Sequence, residues 1–550
     1  LYRVGVGIVS ANVNALEDGA TRTEKSLIAP WIGWVSAGVL VALIGIMVSW
    51  SISANGGFAY PIDDAYIHLR LGQNLADSGT LGINPGEFAS AGSSTVWPVL
   101  IGAVVAVTGP LVGIPLVLST LCAVVTLVLL DRWASHQRLS VPVRIGLMVA
   151  MIFVVPLLLM ALTGMEHVLQ IGLSILLVNL GVRASLAETS TPRQLLALGG
   201  ASLALSATRP EVIFVLAAVG VLLALQRRWP ALLAAGTGAA VPFLVNAAVN
   251  IGQGWPALPA SIMAKSVAES SGIARFLPDP GDIADLRDRP RLIAVALLLA
   301  IVLWLAHRIG DRFDAYARRF GWVALSITVA HIAYSQTGWL FRYEAYLVAL
   351  CVCAIALGSE ILWEQRSHLA AGFSKWQRRA VMSTSLILVL AALWAGLGAN
   401  RLGLTGMKEI YQQQGHMAQF SAEACPGCRS VIGDIGMVGL YGETRLTDSY
   451  GLANLQVLEA KMDGDYDADE IEQIALDEGA QWAMVYTTPQ NGTDPPPESW
   501  VKVGEWVWSD TSVVASNTVS FFVIDQSVES RIREHFESFP APPGATVRTG

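Results

Sequence analysis

Two adjacent carboxylates, Asp63 and Asp64, stand at the start of a helical stretch that reads Pro61-Ile62-Asp63-Asp64-Ala65-Tyr66-Ile67-His68-Leu69-Arg70. The positive end of a helix favours carboxylates, so a simple N-cap pair is the plainest reading. His68 follows one turn later, then Arg70, and the polar loop runs on through Asn84-Pro85-Gly86-Glu87 to Trp97. Burial and mutual repulsion can push two such pKa values apart and leave one group as a base. Four more clusters carry charge: Glu166-His167, Arg209-Pro210-Glu211, Lys265 at the end of an apolar loop, and Arg342 in Trp339-Leu340-Phe341-Arg342-Tyr343-Glu344. Lysine and arginine both suit phosphate oxygens, arginine through its planar fork. Each cluster also has a bland reading: a solvated turn, a structural ion pair, a snorkelling lysine, an aromatic-belt anchor.

Together they suit one reaction type. A carboxylate can take the proton of an acceptor hydroxyl that attacks the anomeric carbon of a sugar. The lipid phosphate then leaves beside cations that offset its charge.

These residues need elements to hold them, and the composition says which. The sequence is 53% hydrophobic and 14% charged, and its mean hydropathy is +0.52. Soluble domains carry about a quarter charged residues, so this is a bilayer protein. The apolar runs predict about eleven spans, at 29–51, 111–130, 145–162, 168–182, 195–207, 212–226, 230–250, 292–306, 321–337, 345–363 and 380–399. The apolar stretch 95–108 is read as a helix at the membrane interface.

Basic loops follow on alternate sides: Arg132, Arg138 and Arg144; Arg183 and Arg193; Arg227 and Arg228; Arg308, Arg312, Arg318 and Arg319; Arg366, Lys375, Arg378 and Arg379. Basic short loops face the cytoplasm. That puts the N-terminus inside, and the 52–94 loop, the 251–291 loop and the chain after 400 outside. All five polar clusters then share the exterior side.

The expected fold class is an α-helical polytopic membrane protein with a C-terminal exterior α/β domain. Its parts are a cytoplasmic segment 1–28, without a cleavable signal-peptide pattern, a transmembrane catalytic domain 29–400, and the exterior domain 401–550. Val431-Ile432, Met484-Val485-Tyr486 and Val519 to Ile524 read as strands, and Asp467 to Glu478 as a helix. The end from Pro540 reads as disordered. Cys425 and Cys428 sit in Cys-Pro-Gly-Cys with no second ligand pair for zinc, so a disulfide is expected in an oxidising compartment. The net charge is -8 with no basic stripe, which argues against a nucleic-acid partner.

The motifs Asp63 to Arg70, Asn74-Leu75-Ala76, Gly79, Asn84-Pro85-Gly86-Glu87 and Ser93-Ser94-Thr95-Val96-Trp97 resemble the first exterior loop of GT-C fold glycosyltransferases. Gly164-Met165-Glu166, Arg209-Pro210-Glu211 and Pro259-Ala260-Ser261 with Lys265 are similar to further motifs of that family. The nearest likeness is to the terminal arabinofuranosyltransferase group of mycobacterial cell walls and its uncharacterised bacterial relatives. The tail, with Val431-Ile432-Gly433-Asp434-Ile435-Gly436 and Asp448-Ser449-Tyr450-Gly451-Leu452, is similar to theirs.

This resemblance implies an inverting transferase in the bacterial plasma membrane. It would move a pentose, such as arabinofuranose, or a hexose from a polyprenyl-phosphate donor to a glycan or glycolipid acceptor. Asp63 or Asp64 would be the base. His68, Arg70, Glu87, Glu166, His167, Arg209 and Glu211 would line the sugar or acceptor pocket, and Lys265 and Arg342 would hold the donor phosphate. No cofactor is required on this reading, though Asp63, Asp64 and Glu166 could hold a magnesium ion with substrate oxygens.

A secondary transporter is one rival reading, but transporters show internal repeats and charges near the midplane, and neither is found here. A lipid-diphosphate-dependent polysaccharide polymerase or ligase is another. It would share the cations without needing Asp63-Asp64.

Overall fold

A computed structural model of the chain describes residues 31–266, 289–335, 337–487 and 496–550, without the side chains of residues 265 and 266. The segment 1–28 therefore lies outside the described residues.

The helices run as α1 (Ile32–Asn55), α2 (Asp64–Ser78), α3 (Trp97–Thr108), α4 (Ile114–His136), α5 (Val141–Phe153), α6 (Leu157–Leu162), α7 (His167–Leu186) and α8 (Pro192–Ser206). They continue as α9 (Ile213–Leu225), α10 (Trp229–Gly252), α11 (Ala260–Ser266), α12 (Pro290–Ile309), α13 (Ala315–Tyr334), α14 (Ala345–Glu364), α15 (Arg366–Gly372) and α16 (Lys375–Ile410). Helix α1 has 24 residues. At 1.5 Å per residue that is about 36 Å, enough for a hydrocarbon core of about 30 Å. Seven helical stretches among the described residues are long and apolar enough to cross a membrane, and α3, α5 and α9 are shorter apolar helices. Leu233, Leu244, Ile387 and Trp394 stay exposed on such helices, where lipid takes the place of a protein core. The chain is a multi-pass membrane protein.

Some expected spans take a different form. The stretch 145–162 is two helices, α5 and α6, broken at Pro156, which has no N–H to continue the ladder. Helix α16 crosses at that break through Gly396, where a Cβ would lie 2.1 Å from the Phe153 carbonyl oxygen. Helix α3 lies on α2 through a pair of glycines. A Cβ on Gly72 would meet the Gly102 nitrogen at 2.9 Å, and one on Gly102 the Gly72 oxygen at 2.9 Å. Arg144, counted above with the basic loops, is buried and grips Asp131 through Nε (2.9 Å) and Nη2 (2.7 Å), while the second Asp131 oxygen accepts from the Gly33 amide. Its charge is spent on tying α4 and α5 to the start of α1.

Helix α16 runs unbroken through residue 400. Its 36 residues make it about 54 Å long, so it stands well clear of a bilayer core. A π-helical turn, Tyr411–Gly415, leads into α17 (His416–Ala424). Phe420 of α17 sits among Trp482, Trp506, Phe521, Phe536 and Phe539. The core of the C-terminal domain is thus built around a continuation of the last long helix.

That domain holds β1 (Arg429–Ile432), α18 (Gly436–Tyr441), β2 (Arg445–Asp448), α19 (Leu455–Asp463), α20 (Ala468–Asp477), β3 (Trp482–Val485), β4 (Val501–Trp508), β5 (Thr518–Val523), α21 (Glu529–Ser538) and β6 (Ala545–Thr549). The sheet order is β2-β1-β3-β5-β4-β6, with β1 parallel to β2 and β3 and the remaining pairs antiparallel. The expected strands and helix are present. The end from Pro540, read as disordered, instead forms edge strand β6 on β4, anchored by the Trp508 indole N–H on the Pro543 carbonyl. Cys425 and Cys428 are joined in a disulfide.

Candidate active site

The first loop enters the helix bundle through aromatic anchors. Trp97 is fully buried, and its indole N–H donates to the Gly164 carbonyl at 2.9 Å. It is a strut between loop and turn, not a lipid anchor. Gly164 has φ +66, and a Cβ there would run into the Tyr60 ring at 2.5 Å. The Tyr60 hydroxyl donates to the Val112 carbonyl and accepts from the Leu116 amide. Thr95 Oγ and the Val96 amide both donate to the Ala207 carbonyl. These bonds draw the first loop, the 163–167 turn and the 207–211 turn together.

A buried polar network results. Arg209 is extended (φ −158, ψ 152), the conformation a following proline imposes, which turns its side chain inward. Its Nη1 donates to Glu166 Oε1 at 2.9 Å, and its Nε and Nη2 hold both Glu211 oxygens at 3.0 and 2.8 Å. Ser93 Oγ donates to Glu166 Oε1 at 3.2 Å and lies 3.2 Å from His68 Nε2. Among the described residues, Glu166 Oε2, His68 Nδ1 and both ring nitrogens of His167 are buried without hydrogen-bond partners. Buried polar atoms are rarely left unpaired in protein, and where they are, a ligand can supply the partner. Burial holds His68 below its usual pKa, with Glu166 opposing.

Arg342 arrives from a strained turn. Gly338, Trp339, Leu340 and Phe341 have φ of +109, +43, +58 and +62. Left-handed backbone costs a non-glycine residue about 1–2 kcal/mol. The turn is pinned by Glu344, which accepts from the Gly338 amide at 2.9 Å. Arg342 then forms an ion pair with Asp64, and the Tyr343 ring lies 5.1 and 5.4 Å from the Arg342 and Arg209 guanidinium carbons.

The structure separates the two adjacent aspartates. Asp63 Oδ2 accepts from the Gly436 amide at 2.6 Å and Oδ1 from the Met437 amide at 2.8 Å, so it caps α18 of the C-terminal domain. A Cβ on Gly436 would lie 2.4 Å from the Asp63 carbonyl oxygen, so only glycine fits. Burial, then nearby Asp434, pushes the Asp63 carboxyl well above the usual range, against these two amide bonds. The Asp64 side chain is 31% exposed, against 8% for the Asp63 residue. Asp64 is the more exposed of the pair.

Two expected pocket residues are elsewhere. Arg70 braces the loop, with Nε on the Ile83 carbonyl and Nη1 on Gln73. Glu87 pairs with Arg429 (3.0 Å) and Arg445 (2.8 Å) of the C-terminal domain. Asn84 completes that seam, exchanging bonds with the Leu446 amide and carbonyl. The expected phosphate contact of Lys265 lies outside the described residues. Asp63, Asp64 and Glu166 do not converge as magnesium ligands: Asp63 is taken by amides and Glu166 by Arg209. No three His, Cys, Asp or Glu side chains among the described residues are placed to share a metal.

One residue of the C-terminal domain joins the site without having been singled out for it. Asp434 Oδ2 accepts from Gln414 Nε2 (2.7 Å) and the Tyr486 hydroxyl (2.5 Å). Burial raises its pKa, and Asp64 adds to the rise.

A superposition with the crystal structure of ArnT from Cupriavidus metallidurans covers 90% of this chain and 98% of that one, at 12% identity and a TM-score of 0.52. The fold is GT-C. The oligosaccharyltransferase of Archaeoglobus fulgidus matches over 95% of this chain and 77% of its own, at 11% identity and a TM-score of 0.47. The mycobacterial arabinofuranosyltransferase AftD matches over 88% and 41%, at 13% identity and a TM-score of 0.41. Residues 408–522 match a family described as a domain of unknown function, DUF8728. No curated protein sequence matches the chain. The GT-C bundle carries a C-terminal domain docked on its first loop.

Proposed function

We propose that this chain is an inverting glycosyltransferase that moves a sugar from a polyprenyl-phosphate donor to a hydroxyl of a cell-envelope glycan or glycolipid. The observation that carries this reading is Asp64. It is a reachable carboxylate ion-paired with Arg342, directly beside a buried network with unpartnered polar atoms.

Asp64 takes the proton of the acceptor hydroxyl as its oxygen bonds to the anomeric carbon. The bond from that carbon to the phosphate oxygen breaks, and the polyprenyl phosphate leaves with the electron pair. A single displacement inverts the anomeric centre. Asp64 and Arg342 hold each other until a donor phosphate competes for the guanidinium. That competition frees the carboxylate to act as a base and leaves the cation facing the departing charge. Glu166, His68 and His167 offer unpartnered atoms to sugar hydroxyls, while Arg209 keeps Glu166 and Glu211 in place.

On this reading the C-terminal domain faces the cell exterior, the N-terminus is cytoplasmic, and the membrane is a bacterial plasma membrane. The positive-inside pattern of the loops supports that orientation.

The test is turnover. Purified protein in detergent is given a panel of labelled polyprenyl-phosphate pentoses and hexoses with envelope glycan, alongside Asp64→Asn. Parallel runs with magnesium and with chelator test the expectation that no cofactor is required. Release of polyprenyl phosphate by wild type and its loss in folded Asp64→Asn is the expected result, and the panel names the sugar. No turnover with any donor would remove the proposal.

A further inference from the structure

Helix α12 begins with two arginines in the wrong electrostatic place. Arg289 is its N-cap residue and Arg291 lies in its first turn, with Pro290 between them. The N-terminus of a 20-residue helix carries a partial positive charge, which repels cations, and its first amides have no partner within the helix. No acidic residue lies in that turn.

Arg291 is 2% exposed. Among the described residues its one carboxylate contact is Glu344, at 3.4 Å through Nη2, and the other Glu344 oxygen is already held by the Gly338 amide. Its Nε and Nη1 are buried with no hydrogen-bond partner. Arg289 donates through Nη2 to the Thr337 carbonyl, and its Nε is likewise buried and unpartnered. Arg291 thus shares its carboxylate with the Gly338 amide, and Arg289 donates only to a neutral carbonyl among the described residues. A buried cation left short of partners calls for an anion.

Both guanidinium groups pack against the 338–341 turn. The Arg291 guanidinium lies over the Phe341 ring at 4.6 Å. The Arg289 guanidinium occupies the space beside Gly338 where a Cβ would sit, 1.9 Å from Nη2. Both therefore rest on the left-handed turn whose next residue, Arg342, pairs with Asp64.

We propose that the N-terminal end of α12, with Arg291 and Arg289 against Gly338 and Phe341, binds a phosphate group, and that this is the phosphate of the lipid-linked sugar donor. The identity of that lipid rests on the glycosyltransferase reading, while the anion site rests on the unpartnered guanidinium nitrogens. A guanidinium N–H makes a charge-assisted hydrogen bond to a phosphate oxygen, and Arg291 has Nε and Nη1 unpartnered among the described residues. Phosphate held here sits against the turn that leads into Arg342, the cation paired with Asp64.

The experiment is binding of a short-chain polyprenyl phosphate to the full-length protein in detergent, followed by native mass spectrometry. The same-length polyprenol, inorganic phosphate and phosphatidylglycerol serve as the other arms. Polyprenyl phosphate should bind wild type more tightly than polyprenol does. Arg291→Gln should weaken that binding about tenfold or more, Arg291→Lys should keep part of it, and polyprenol binding should not change. Arg289→Gln, at a half-buried position, gives a second variant should Arg291→Gln not fold.

Equal binding of polyprenyl phosphate to wild type and to both glutamine variants would overturn the site. Arg291-dependent binding of inorganic phosphate or phosphatidylglycerol as tight as that of polyprenyl phosphate would overturn the donor assignment. Turnover failing with every donor, while Arg291-dependent phosphate binding persists, would sink the transferase reading and the donor assignment but leave the anion site standing. Intact turnover and binding in the glutamine variants would do the reverse.

Discussion

The first polar loop faces two neighbours and treats them in opposite ways. Toward the C-terminal domain, Asp63, Asn84 and Glu87 meet residues 429, 436, 437, 445 and 446, and each of these three side chains has both of its polar atoms engaged. Toward the helix bundle, His68 and Glu166 each keep a buried atom unpartnered, and His167 keeps two. A complete set of bonds is what a permanent seam needs, because nothing is gained by leaving a donor open. An incomplete set costs stability and is worth keeping where a substrate supplies the missing partner. The boundary between the two regimes runs between Asp63 and Asp64.

The sharpest way to break that comparison is to treat the two aspartates alike. Asp64→Asn should keep its fold and lose transfer by about 10²–10⁴-fold, the usual worth of a general base. Asp63→Asn should instead loosen the docking of the C-terminal domain, because an amide cannot accept as well at both positions. Donor turnover beside thermal unfolding separates the effects. Equal loss of turnover in both variants, with equal stability, would erase the distinction drawn here.

Arg209 tests the network side. Arg209→Met takes the guanidinium away from buried Glu166 and half-buried Glu211, and removing one partner of a buried pair costs about 3–5 kcal/mol. A fall in unfolding temperature is the expected readout. If stability is unchanged while the donor KM rises, Arg209 contacts substrate rather than holding its neighbours.

Asn84 tests the seam side. Asn84→Ala removes two bonds to Leu446 and one to Glu87, and buried groups left unsatisfied cost about 1–3 kcal/mol. Limited proteolysis between the bundle and the C-terminal domain should speed up. An unchanged cleavage rate would mean that the continuous helix α16, not the seam, sets the domain's position.

The membrane bundle was largely legible in the sequence, because hydropathy and loop charge are local signals. Four of the five polar clusters do meet, and their common side was deduced from charge alternation alone. The break at Pro156 had a local signal, the proline itself, inside a run that otherwise reads as one span, whereas the burial of Arg144 was not legible, since it depends on meeting Asp131 on the neighbouring helix. For the same reason Asp63 and Asp64 read as equivalents: what separates them is a contact with Gly436 and Met437, more than 370 residues away. Glu87 looked like a pocket residue because a carboxylate in a polar loop carries no mark of which neighbour it will meet. Strand β6 was missed because an edge strand with exposed side chains lacks the buried alternation that reveals central ones. Arg291 gave no signal at all, since an arginine at the start of an apolar helix reads as one more flanking charge.

The smallest expected effect lies where the two regimes touch. Asp434 faces Asp63 and Asp64 across the seam, with Tyr486, Gln414 and Tyr450 as its other near neighbours. Both Asp63 and Asp434 have pKa values raised by burial, each against opposing hydrogen bonds. A carboxyl group with a raised folded-state pKa holds its proton more tightly folded than unfolded. Its ionised form therefore costs stability at neutral pH, and that cost is relieved as the pH falls through the folded-state pKa toward the unfolded value. The unfolding temperature should rise modestly between about pH 8 and about pH 5, where unfolded carboxyl groups still ionise. Asp434→Asn removes one of the two charges and relieves the other, so its unfolding temperature should be higher than wild type at the upper end and flatter across the range. A wild-type curve that falls with acid over this window would mean that the amide and hydroxyl donors outweigh burial at both groups. The seam would then be stabilised by its negative charge rather than strained by it.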